Sequence, residues 1–281
     1  MKMSGAKMVI ESLHQEGVEV VFGYPGGAIM NVYDEIYKQN YFEHILNRHE
    51  QACVIAAEGY ARSTGKTGVA IVTSGPGFTN AITGIADAYM DSIPVVIISG
   101  QVPTTIIGTD GFQEIDAVGI SRPCTKHNYL VNKIEDLPRI IKEAFHLAST
   151  GRPGPVHVDI PKDITAQLGE FIYPSEVNMP TYKPTLNYNK KQLKRAMEAI
   201  SNAKKPLLYI GGGAILSNCG YEIRDLAKKL NIPAVETLMA RGVMGDENPL
   251  FFGMLGMHGE YAANMAAHET DLLISLGARF D

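Results

Sequence analysis

The amino-acid sequence predicts an α/β protein with two parallel sheets. Short apolar runs of strand length alternate with stretches of helix length, which is the pattern of a parallel sheet covered by helices on both faces. Residues 166–189 interrupt this pattern with three prolines and no apolar periodicity, so they are predicted to be a linker. We therefore expect a doubly wound domain at residues 1–165 and a truncated, Rossmann-like second domain at residues 190–281.

The elements of the first domain follow from apolar periodicity and from residues that start or stop helices. Ser4 is placed to cap a first helix, and Gly17 is placed to end it. A polar, glycine-containing loop runs from Gln101 to about Glu114. The predicted helices are 4–15, 28–38, 52–62, 81–90 and 137–148, and the predicted strands are 18–22, 42–46, 69–73, 94–100, 129–131 and 156–160.

The second domain repeats the pattern with fewer strands. Its predicted helices are 190–202, 221–230 and 261–267, and its predicted strands are 206–210, 232–235 and 272–276. Three strands make a thin parallel sheet. This domain is therefore expected to be incomplete within the 281 residues.

Composition and charge argue against several classes of protein. The formal net charge is −5 and there is no long run of Lys and Arg, so nucleic acid is not an expected partner. No apolar run approaches the roughly 20 residues that cross a bilayer, so no membrane span is expected. The cysteines Cys53, Cys124 and Cys219 are odd in number and far apart, which favours a reducing cytoplasm over a disulfide framework or a cysteine metal site.

The most informative stretch surrounds Glu50. This residue follows a predicted strand and precedes a helix rich in Ala and Gly, so it lies at the sheet edge where open α/β folds bind ligands. A first-turn carboxylate can also serve only to complement the helix dipole, which contributes up to about 1 kcal/mol, and this stretch alone favours that simpler role. Glycine-rich turns at 23–27 and 74–77 follow two other strands and converge on the same edge, which favours a ligand site.

Three other features have more than one interpretation. The glycines at 211–213 follow a strand as a phosphate-binding turn does, but they lack the third small residue of that motif and fit a tight turn equally well. The methionines and histidine of segment 254–259 fit either a core or a cofactor contact. Asp110 and Glu114 frame a loop that is too long and too polar to be only a connection.

The ordered motifs resemble those of a known family. The pyrimidine-binding domain of thiamine-diphosphate enzymes is similar in four places: Gly-Tyr-Pro-Gly-Gly-Ala at 23–28, His-Glu-Gln at 49–51, Ala-Glu-Gly-Tyr-Ala-Arg at 57–62 and Thr-Ser-Gly-Pro-Gly at 73–77. The loop motifs at 100–103 and 108–114 narrow the resemblance to acetolactate (acetohydroxyacid) synthase catalytic subunits. The members that contain FAD are similar in three further motifs, at 151–156, 254–259 and 277–281.

The resemblance implies a chemistry and a set of site residues. The chemistry is decarboxylation of pyruvate and ligation to a second 2-keto acid, which gives 2-acetolactate or 2-aceto-2-hydroxybutyrate in branched-chain amino acid biosynthesis. Glu50 matches the carboxylate that hydrogen-bonds N1′ of the aminopyrimidine, so that the 4′-nitrogen can remove the C2 proton. Gln113 and Gly27 match positions at the reaction centre, beside Phe112. The other thiamine-diphosphate positions are Tyr24, Pro25, Gly26, Thr73, Pro76 and Asn80, and the FAD positions are Arg152, Gly211, Gly212, Gly213, Thr237, Leu238, His258, Gly259 and Arg279.

The resemblance also implies parts that residues 1–281 do not carry. Family members have a third domain whose Gly-Asp-Gly…Asn motif holds Mg²⁺ and the diphosphate, and this sequence lacks that motif. The Mg²⁺ ligands are therefore expected outside this chain, and the chain alone is expected to be inactive. FAD is expected to be structural, because the net reaction needs no oxidant. A homodimer of the large subunit and a separate small regulatory subunit are also implied.

Two alternatives stay open at this point. Another thiamine-diphosphate enzyme, such as pyruvate oxidase or a flavin-free catabolic acetolactate synthase, would share many of the motifs, although the segments at 101–114 and 254–259 argue against it. A non-catalytic, dimerising α/β module that binds a nucleotide or a partner is the other alternative, and the ordered motifs around Glu50 argue against it. Whether the open reading frame continues past Asp281 is the most informative single observation.

Overall fold

The structure, a computed structural model, describes residues 1–280 and divides into two compact units, Met1–Thr185 and Leu186–Asp281. Asp281, the last residue of the motif at 277–281, lies outside the described residues. The predicted linker at 166–189 thus falls mostly within the first unit. No helix within residues 1–280 combines the length and the hydropathy that crossing a bilayer requires.

The first unit contains eight strands and seven α-helices within the described residues. The strands are β1 (Lys2–Ser4), β2 (Val20–Gly23), β3 (Glu43–Leu46), β4 (Gly68–Val72), β5 (Val95–Gln101), β6 (His127–Leu130), β7 (Val156–Pro161) and β8 (Leu168–Glu170). The helices are α1 (Gly5–Gln15), α2 (Met30–Lys38), α3 (Glu50–Thr64), α4 (Pro76–Asp91), α5 (Ala117–Ser121), α6 (Leu137–Ser149) and α7 (Lys162–Ala166).

Six of these strands form one parallel sheet, which confirms the predicted doubly wound fold. Their order across the sheet is β3-β2-β4-β5-β7-β6. The chain runs outward from β2 to β3 and then returns to place β4 on the other side of β2. The direction of the strand order therefore reverses between β2 and β4, and ligands bind at the carboxyl ends of strands that flank such a point.

Alternate residues of the central strands pack on opposite faces of this sheet. Val69, Ile71, Val96 and Ile98 belong to one large apolar cluster that includes residues of α1, α2 and α6. Helices α3 and α4 contact each other and the sheet, and Phe78 of α4 stacks on His157 of β7 with ring centroids 4.2 Å apart. Every residue of β4, β5 and β7 is buried, as expected for a sheet covered on both faces.

The first unit differs from the prediction in several elements: the short helices α5 and α7 were not predicted, and α4 and the pair β1–β8 also differ. Helix α4 begins at Pro76, five residues earlier than predicted, because proline is well suited to the first helical turn and follows Gly75 at the N-cap. Strands β1 and β8 form an antiparallel pair that was not predicted, with Met3 opposite Gly169. Three-residue strands are too short to show periodicity, so no apolar pattern marks them in the sequence.

The second unit contains four parallel strands in the order β11-β10-β9-β12. Its elements are α8 (Lys190–Asn202), β9 (Pro206–Ile210), α9 (Gly213–Leu216), α10 (Gly220–Leu230), β10 (Ala234–Glu236), β11 (Phe251–Met254), α11 (Tyr261–Glu269) and β12 (Leu272–Leu276). The prediction of three strands is wrong, because it missed β11. Gly253 has a φ of +100° and the register of β10 with β11 is irregular, so β11 lacks the pattern of a regular strand.

Candidate functional site

Glu50 lies where the fold places ligands, at the carboxyl end of β3. It is the first residue of α3, and His49 is the N-cap whose Nδ1 accepts a hydrogen bond from the Gln51 amide at 3.2 Å. A side-chain acceptor at this position satisfies one of the free amides of the first turn. The His-Glu-Gln motif is therefore a helix start that fixes the direction in which Glu50 leaves the backbone.

The Glu50 side chain is buried, with only 7% of its residue surface exposed. Its Oε2 accepts a hydrogen bond of 3.0 Å from Nδ2 of Asn80 on α4. An acid that only complements a helix dipole needs no side-chain partner, so burial with a dedicated amide partner favours a ligand-binding role. Burial, together with the nearby Glu50 carboxylate, raises the pKa of the Cys53 thiol to about 12, so Cys53 is a neutral thiol at neutral pH.

The glycine turns after β2 and β4 meet beside Glu50. A Cβ on Gly26 would lie 2.4 Å from Cγ2 of Thr73, and a Cβ on Gly77 would lie 2.6 Å from the same atom and 3.2 Å from Oε1 of Glu50. The Thr73 hydroxyl accepts a hydrogen bond of 3.3 Å from the Ala28 amide. At Gly27, by contrast, no atom of the described chain beyond the two neighbouring residues lies within 4 Å of the Cβ position. The Glu50 carboxylate is therefore closely packed by the turns, whereas the space beside Gly27 is open.

The loop between β5 and α5 reaches the same turn through Gln113. A Cβ on Gly75 would lie 2.6 Å from the Gln113 carbonyl oxygen, and Gly75 has a φ of +53° that favours glycine. Glu114 shapes the loop: its Oε1 accepts from the Gly108 amide and its Oε2 accepts from the Gly111 amide at 2.8 Å. These backbone hydrogen bonds hold the pKa of Glu114 below its usual value. Phe112, 89% exposed, lies beside Gln113.

The structure brings most of the predicted thiamine-diphosphate residues to one place. Contacts join Gly26, Thr73, Gly77 and Glu50, and Glu50 is joined to Asn80. The remaining predicted residues lie on the same turns and loop: Tyr24, Pro25, Gly27, Pro76 and Gln113. Gly75 and Gly77 were quoted only as part of a motif, yet both make the close contacts that hold this site together.

The predicted FAD residues divide between the two units. Arg152 lies in the first unit, where its Nε donates to the Ser92 hydroxyl at 2.8 Å and its Nη2 donates to the Tyr89 carbonyl at 3.3 Å. Arg152 therefore hydrogen-bonds to the C-terminal end of α4, where a positive charge is stabilising. The other predicted FAD residues follow β9, β10, β11 and β12 at one edge of the second sheet: Gly211, Gly212, Gly213, Thr237, Leu238, His258, Gly259 and Arg279.

The glycines at 211 and 213 allow the backbone of residues 277 and 278, rather than a ligand, to approach closely. A Cβ on Gly211 would lie 2.3 Å from Cα of Ala278, and a Cβ on Gly213 would lie 2.8 Å from Cα of Gly277. This packing supports the tight-turn interpretation of the run. Thr237 differs, because its Oγ1 is buried without a hydrogen-bond partner among the described residues, which is the kind of group that a bound ligand would satisfy.

A second acidic group, on α3 and α4, is bridged by an arginine. Carboxylate oxygens of Glu58, Asp87 and Asp91 lie within 4.8 Å of one another. Nη2 of Arg62 lies 2.5 Å from Oε1 of Glu58 and 2.5 Å from Oδ2 of Asp91. The guanidinium therefore already supplies a cation to this cluster, and the Ala-Glu-Gly-Tyr-Ala-Arg motif at 57–62 ties α3 to α4.

Sequence reasoning missed a buried polar network beneath the loop. The Ser99 hydroxyl lies 2.7 Å from Nε2 of His157 and 2.6 Å from Oδ1 of Asp159, while Nε2 of Gln101 donates to Oδ2 of Asp159 at 2.9 Å. Burial lowers the pKa of His157 to about 3 and raises the pKa of Asp159 to about 7. The available signal was the alternation of polar residues within two apolar strands, at 99 and 101 and at 157 and 159.

Two family models match the chain. The model of the thiamine pyrophosphate enzyme N-terminal TPP binding domain matches residues 3–120, and the model of the thiamine pyrophosphate enzyme central domain matches residues 193–281. The first match contains Glu50 and all of the glycine turns around it. The chain therefore belongs to the thiamine pyrophosphate enzymes, and thiamine diphosphate is the cofactor of that class.

Within this class, the chain is similar over its whole length to acetolactate synthase large subunits. It is 55% identical to that of Haemophilus influenzae, over 100% of this chain and 49% of the relative. It is 52% identical to the isozyme 3 large subunit of Escherichia coli, over 99% of this chain and 49% of the relative. A probable acetolactate synthase large subunit of Methanocaldococcus jannaschii is 47% identical, over 99% of this chain and 47% of the relative. The chain spans about half the length of the curated relatives it matches.

Proposed function

We propose that this chain supplies the aminopyrimidine-binding half of a thiamine-diphosphate site with acetolactate synthase activity. The substrates would be pyruvate and a second 2-keto acid, pyruvate or 2-ketobutyrate, and the products 2-acetolactate or 2-aceto-2-hydroxybutyrate. The observation that carries the proposal is the buried Glu50 at the carboxyl end of β3, hydrogen-bonded to Asn80 and enclosed by two glycine turns. The identity of about half with acetolactate synthase large subunits supports the choice of reaction.

The residues present suit the cofactor's pyrimidine ring. Asn80 holds one oxygen of Glu50, so the carboxyl group has a defined orientation from which it can share a proton with a ring nitrogen. Gly26 and Gly77 allow the two turns to approach Glu50, and the open space at Gly27 leaves room for a flat ring. When bound, thiamine diphosphate supplies the electron sink for decarboxylation and carbon–carbon bond formation. Gln113 and Gly27 would face the reacting carbons, and Tyr24, Pro25, Thr73 and Pro76 would line the ring.

The diphosphate and its Mg²⁺ would be held by protein outside residues 1–281. Mg²⁺ is bound through carboxylates, water and phosphate oxygens in octahedral geometry. The acidic cluster of Glu58, Asp87 and Asp91 already contains the Arg62 guanidinium, so we do not assign Mg²⁺ to it. Residues 1–281 alone would then bind the cofactor poorly and would not turn over pyruvate.

FAD is proposed to bind at the carboxyl edge of the second sheet. The support is the buried, unpartnered hydroxyl of Thr237 and the exposed side chains of Leu238 and His258 on adjacent loops. The role would be structural, since the proposed net reaction consumes no oxidant. The whole enzyme is proposed to be a cytoplasmic homodimer of large subunits, and the name "large subunit" of the relatives supports a small regulatory partner.

A chimera tests the proposed activity. Residues 1–281 are joined to the part of the Haemophilus influenzae relative that follows its matched region, and the wild-type relative serves as the positive control. With thiamine diphosphate, Mg²⁺ and FAD, the chimera should convert pyruvate to acetolactate, measured colorimetrically. Formation of acetyl phosphate and peroxide would indicate a pyruvate oxidase instead. A folded, dimeric chimera that makes neither product, beside an active control, would contradict the proposal.

A further inference from the structure

The loop between β5 and α5, residues 102–116, is tied at both ends by one side chain. Oε1 of Gln101 accepts a hydrogen bond of 2.8 Å from the Val102 amide, at the start of the loop. Nε2 of Gln101 donates to the Ile115 carbonyl at 2.9 Å, near the end of the loop. A reversed amide would place oxygen against the Ile115 carbonyl and the Asp159 carboxylate, so the orientation of the Gln101 amide is fixed.

Asp159 fixes Gln101 in turn. Its Oδ2 accepts the second hydrogen of Gln101 Nε2 at 2.9 Å, and its Oδ1 contacts the Ser99 hydroxyl at 2.6 Å. All three side chains are at least 97% buried. A buried polar group that loses its partner costs about 1–3 kcal/mol, so each of these side chains is held strongly to its partners.

The same network extends to helices α4 and α5. The second contact of the Ser99 hydroxyl is Nε2 of His157, whose Nδ1 lies 3.1 Å from the hydroxyl of Ser121 on α5. The His157 ring stacks on Phe78, two residues after Pro76 on α4. The network therefore joins the strands β5 and β7 to the helix that begins beside Glu50 and to the helix that follows the loop.

At its far end the loop meets the proposed active site. The Gln113 carbonyl occupies the space that a Cβ on Gly75 would need, at 2.6 Å, and Gly75 is the N-cap of α4. Thr104 adds a second anchor near the start of the loop, because its amide and hydroxyl donate to the Asp163 carboxylate at 3.0 and 2.6 Å. The position of Gln113 thus depends on how firmly the base of the loop is held.

We propose that Asp159 and Gln101 are positioning residues that hold the 102–116 loop, and with it Gln113, against the glycine turn beside Glu50. The inference rests on the proposed function only for the role of Gln113 at the reaction centre. The anchoring itself is a property of this chain. Neither residue has an atom within 4 Å of the Cβ position at Gly27, so both are assigned to act through the loop.

The network has two self-consistent hydrogen-bond directions, because the Ser99 hydroxyl has one hydrogen and two partners. With Asp159 ionised, Ser99 donates to Asp159, His157 donates from Nε2, and Ser121 donates to Nδ1. With Asp159 protonated on Oδ1, the bonds from Asp159 through Ser99 to Ser121 reverse, while Gln101 still donates to Oδ2. Asp159 then donates to Ser99, and Ser99 donates to Nε2 of His157. His157 donates from Nδ1, and Ser121 donates to the Val118 carbonyl, which lies 3.3 Å away.

The proton on Asp159 therefore sets the tautomer of His157. Asp116, ahead of α5, interacts with Asp159 by charge, and this charge favours the protonated form. His157, on β7 itself, is linked to Asp159 through the Ser99 hydroxyl.

Hydrogen–deuterium exchange on the 281-residue chain, without cofactors, tests the anchoring. Asp159→Ala and Gln101→Ala should each raise exchange in peptides covering 102–116 at least tenfold. Asp159→Asn should stay near wild type, because its amide can donate to Ser99 while its oxygen accepts from Gln101. The matched control is Val158→Ala, a buried change on the opposite face of β7, which should leave the loop peptides protected. Equal loop exchange in Asp159→Ala and Val158→Ala would overturn the proposal.

The tautomer of His157 gives a second readout that packing alone would not move. In ¹⁵N spectra, wild-type His157 should carry its hydrogen on Nδ1 at pH 5.5 and on Nε2 at pH 8.5. Asp159→Asn should hold the hydrogen on Nδ1 at both values. A tautomer that does not respond to pH or to the substitution would overturn the coupling between Asp159 and His157. Neither measurement needs turnover, so their failure would leave the proposed activity untouched.

Discussion

The substitution Asp159→Asn should expose a pH dependence of stability that the wild-type chain conceals. In the native state burial raises the pKa of Asp159 from 3.8 to about 7 and lowers the pKa of His157 from 6.5 to about 3. Between about pH 4 and 6.5 the native pair therefore holds one proton, on Asp159. The unfolded pair also holds one, on His157, so the pair contributes almost no slope to the free energy of unfolding.

The sign of each single contribution follows from these shifts. Asp159 contributes stability that is present below pH 3.8 and is lost as the pH rises toward 7. His157 contributes stability that is present above pH 6.5 and is lost as the pH falls. Asp159→Asn removes the first contribution and leaves the second. A full pH unit between the unfolded and folded pKa values of a group is worth about 1.4 kcal/mol. Because pH 6.5 lies close to the folded-state pKa of Asp159, the variant should lose about 2.5 kcal/mol relative to wild type from pH 6.5 to 4.5.

The assay is the free energy of opening of β5 and β7, read from hydrogen exchange of their peptides and corrected for the intrinsic rate at each pH. Subtracting wild type from variant cancels the groups that both share. His157→Gln should show the opposite slope, becoming less stable relative to wild type as the pH rises from 4.5 to 6.5. A difference between Asp159→Asn and wild type that is flat over this range would refute the assignment of a buried proton to Asp159.

Three further predictions concern single residues and the chain as a whole. Gly75→Ala should destabilise the first unit by at least about 1–2 kcal/mol, because Gly75 has a positive φ and contacts Gln113. Gly59→Ala, at an open position in α3, should instead stabilise it by about 0.5–1 kcal/mol. Equal effects of the two substitutions in urea unfolding would contradict this prediction. Thr237→Val should raise the stability of the cofactor-free chain by about 1 kcal/mol and weaken FAD binding in titration calorimetry, and unchanged FAD affinity would remove Thr237 from the site. The 281-residue chain with thiamine diphosphate, Mg²⁺ and FAD should form no acetolactate in the colorimetric assay, and turnover above background would show that its own residues complete the metal site.

The sequence was sufficient wherever the signal is local. Alternating strands and helices predicted the parallel sheet, and the position of Glu50 between a strand and a helix predicted its place at the carboxyl edge. Helix α8 and strand β9 follow their predicted limits because periodicity and breakers agree there. The early start of α4 was missed because the apolar pattern begins only after the turn that Pro76 starts.

The remaining features depend on contacts between residues far apart in the chain. Ser99 meets Asp159 across 60 positions, and Gly75 meets Gln113 across a loop whose path no periodicity records. Glu114 was expected to frame a functional loop, yet its carboxylate is used to hold the amides of Gly108 and Gly111. Such roles depend on which side chains are brought together in the folded chain. The local sequence pattern does not show which residues these are.

The most direct test of the central claim is the rate at which the C2 hydrogen of bound thiamine diphosphate exchanges with deuterated water. The chimera described above is quenched in acid at intervals, and the residual C2 proton signal is measured by NMR, with no keto acid present. If Glu50 is the proton-sharing partner of the pyrimidine ring, Glu50→Gln should slow exchange at least about 100-fold while the fold and dimerisation stay intact. Equal exchange rates in the chimera and in Glu50→Gln, both saturated with cofactor, would contradict the account.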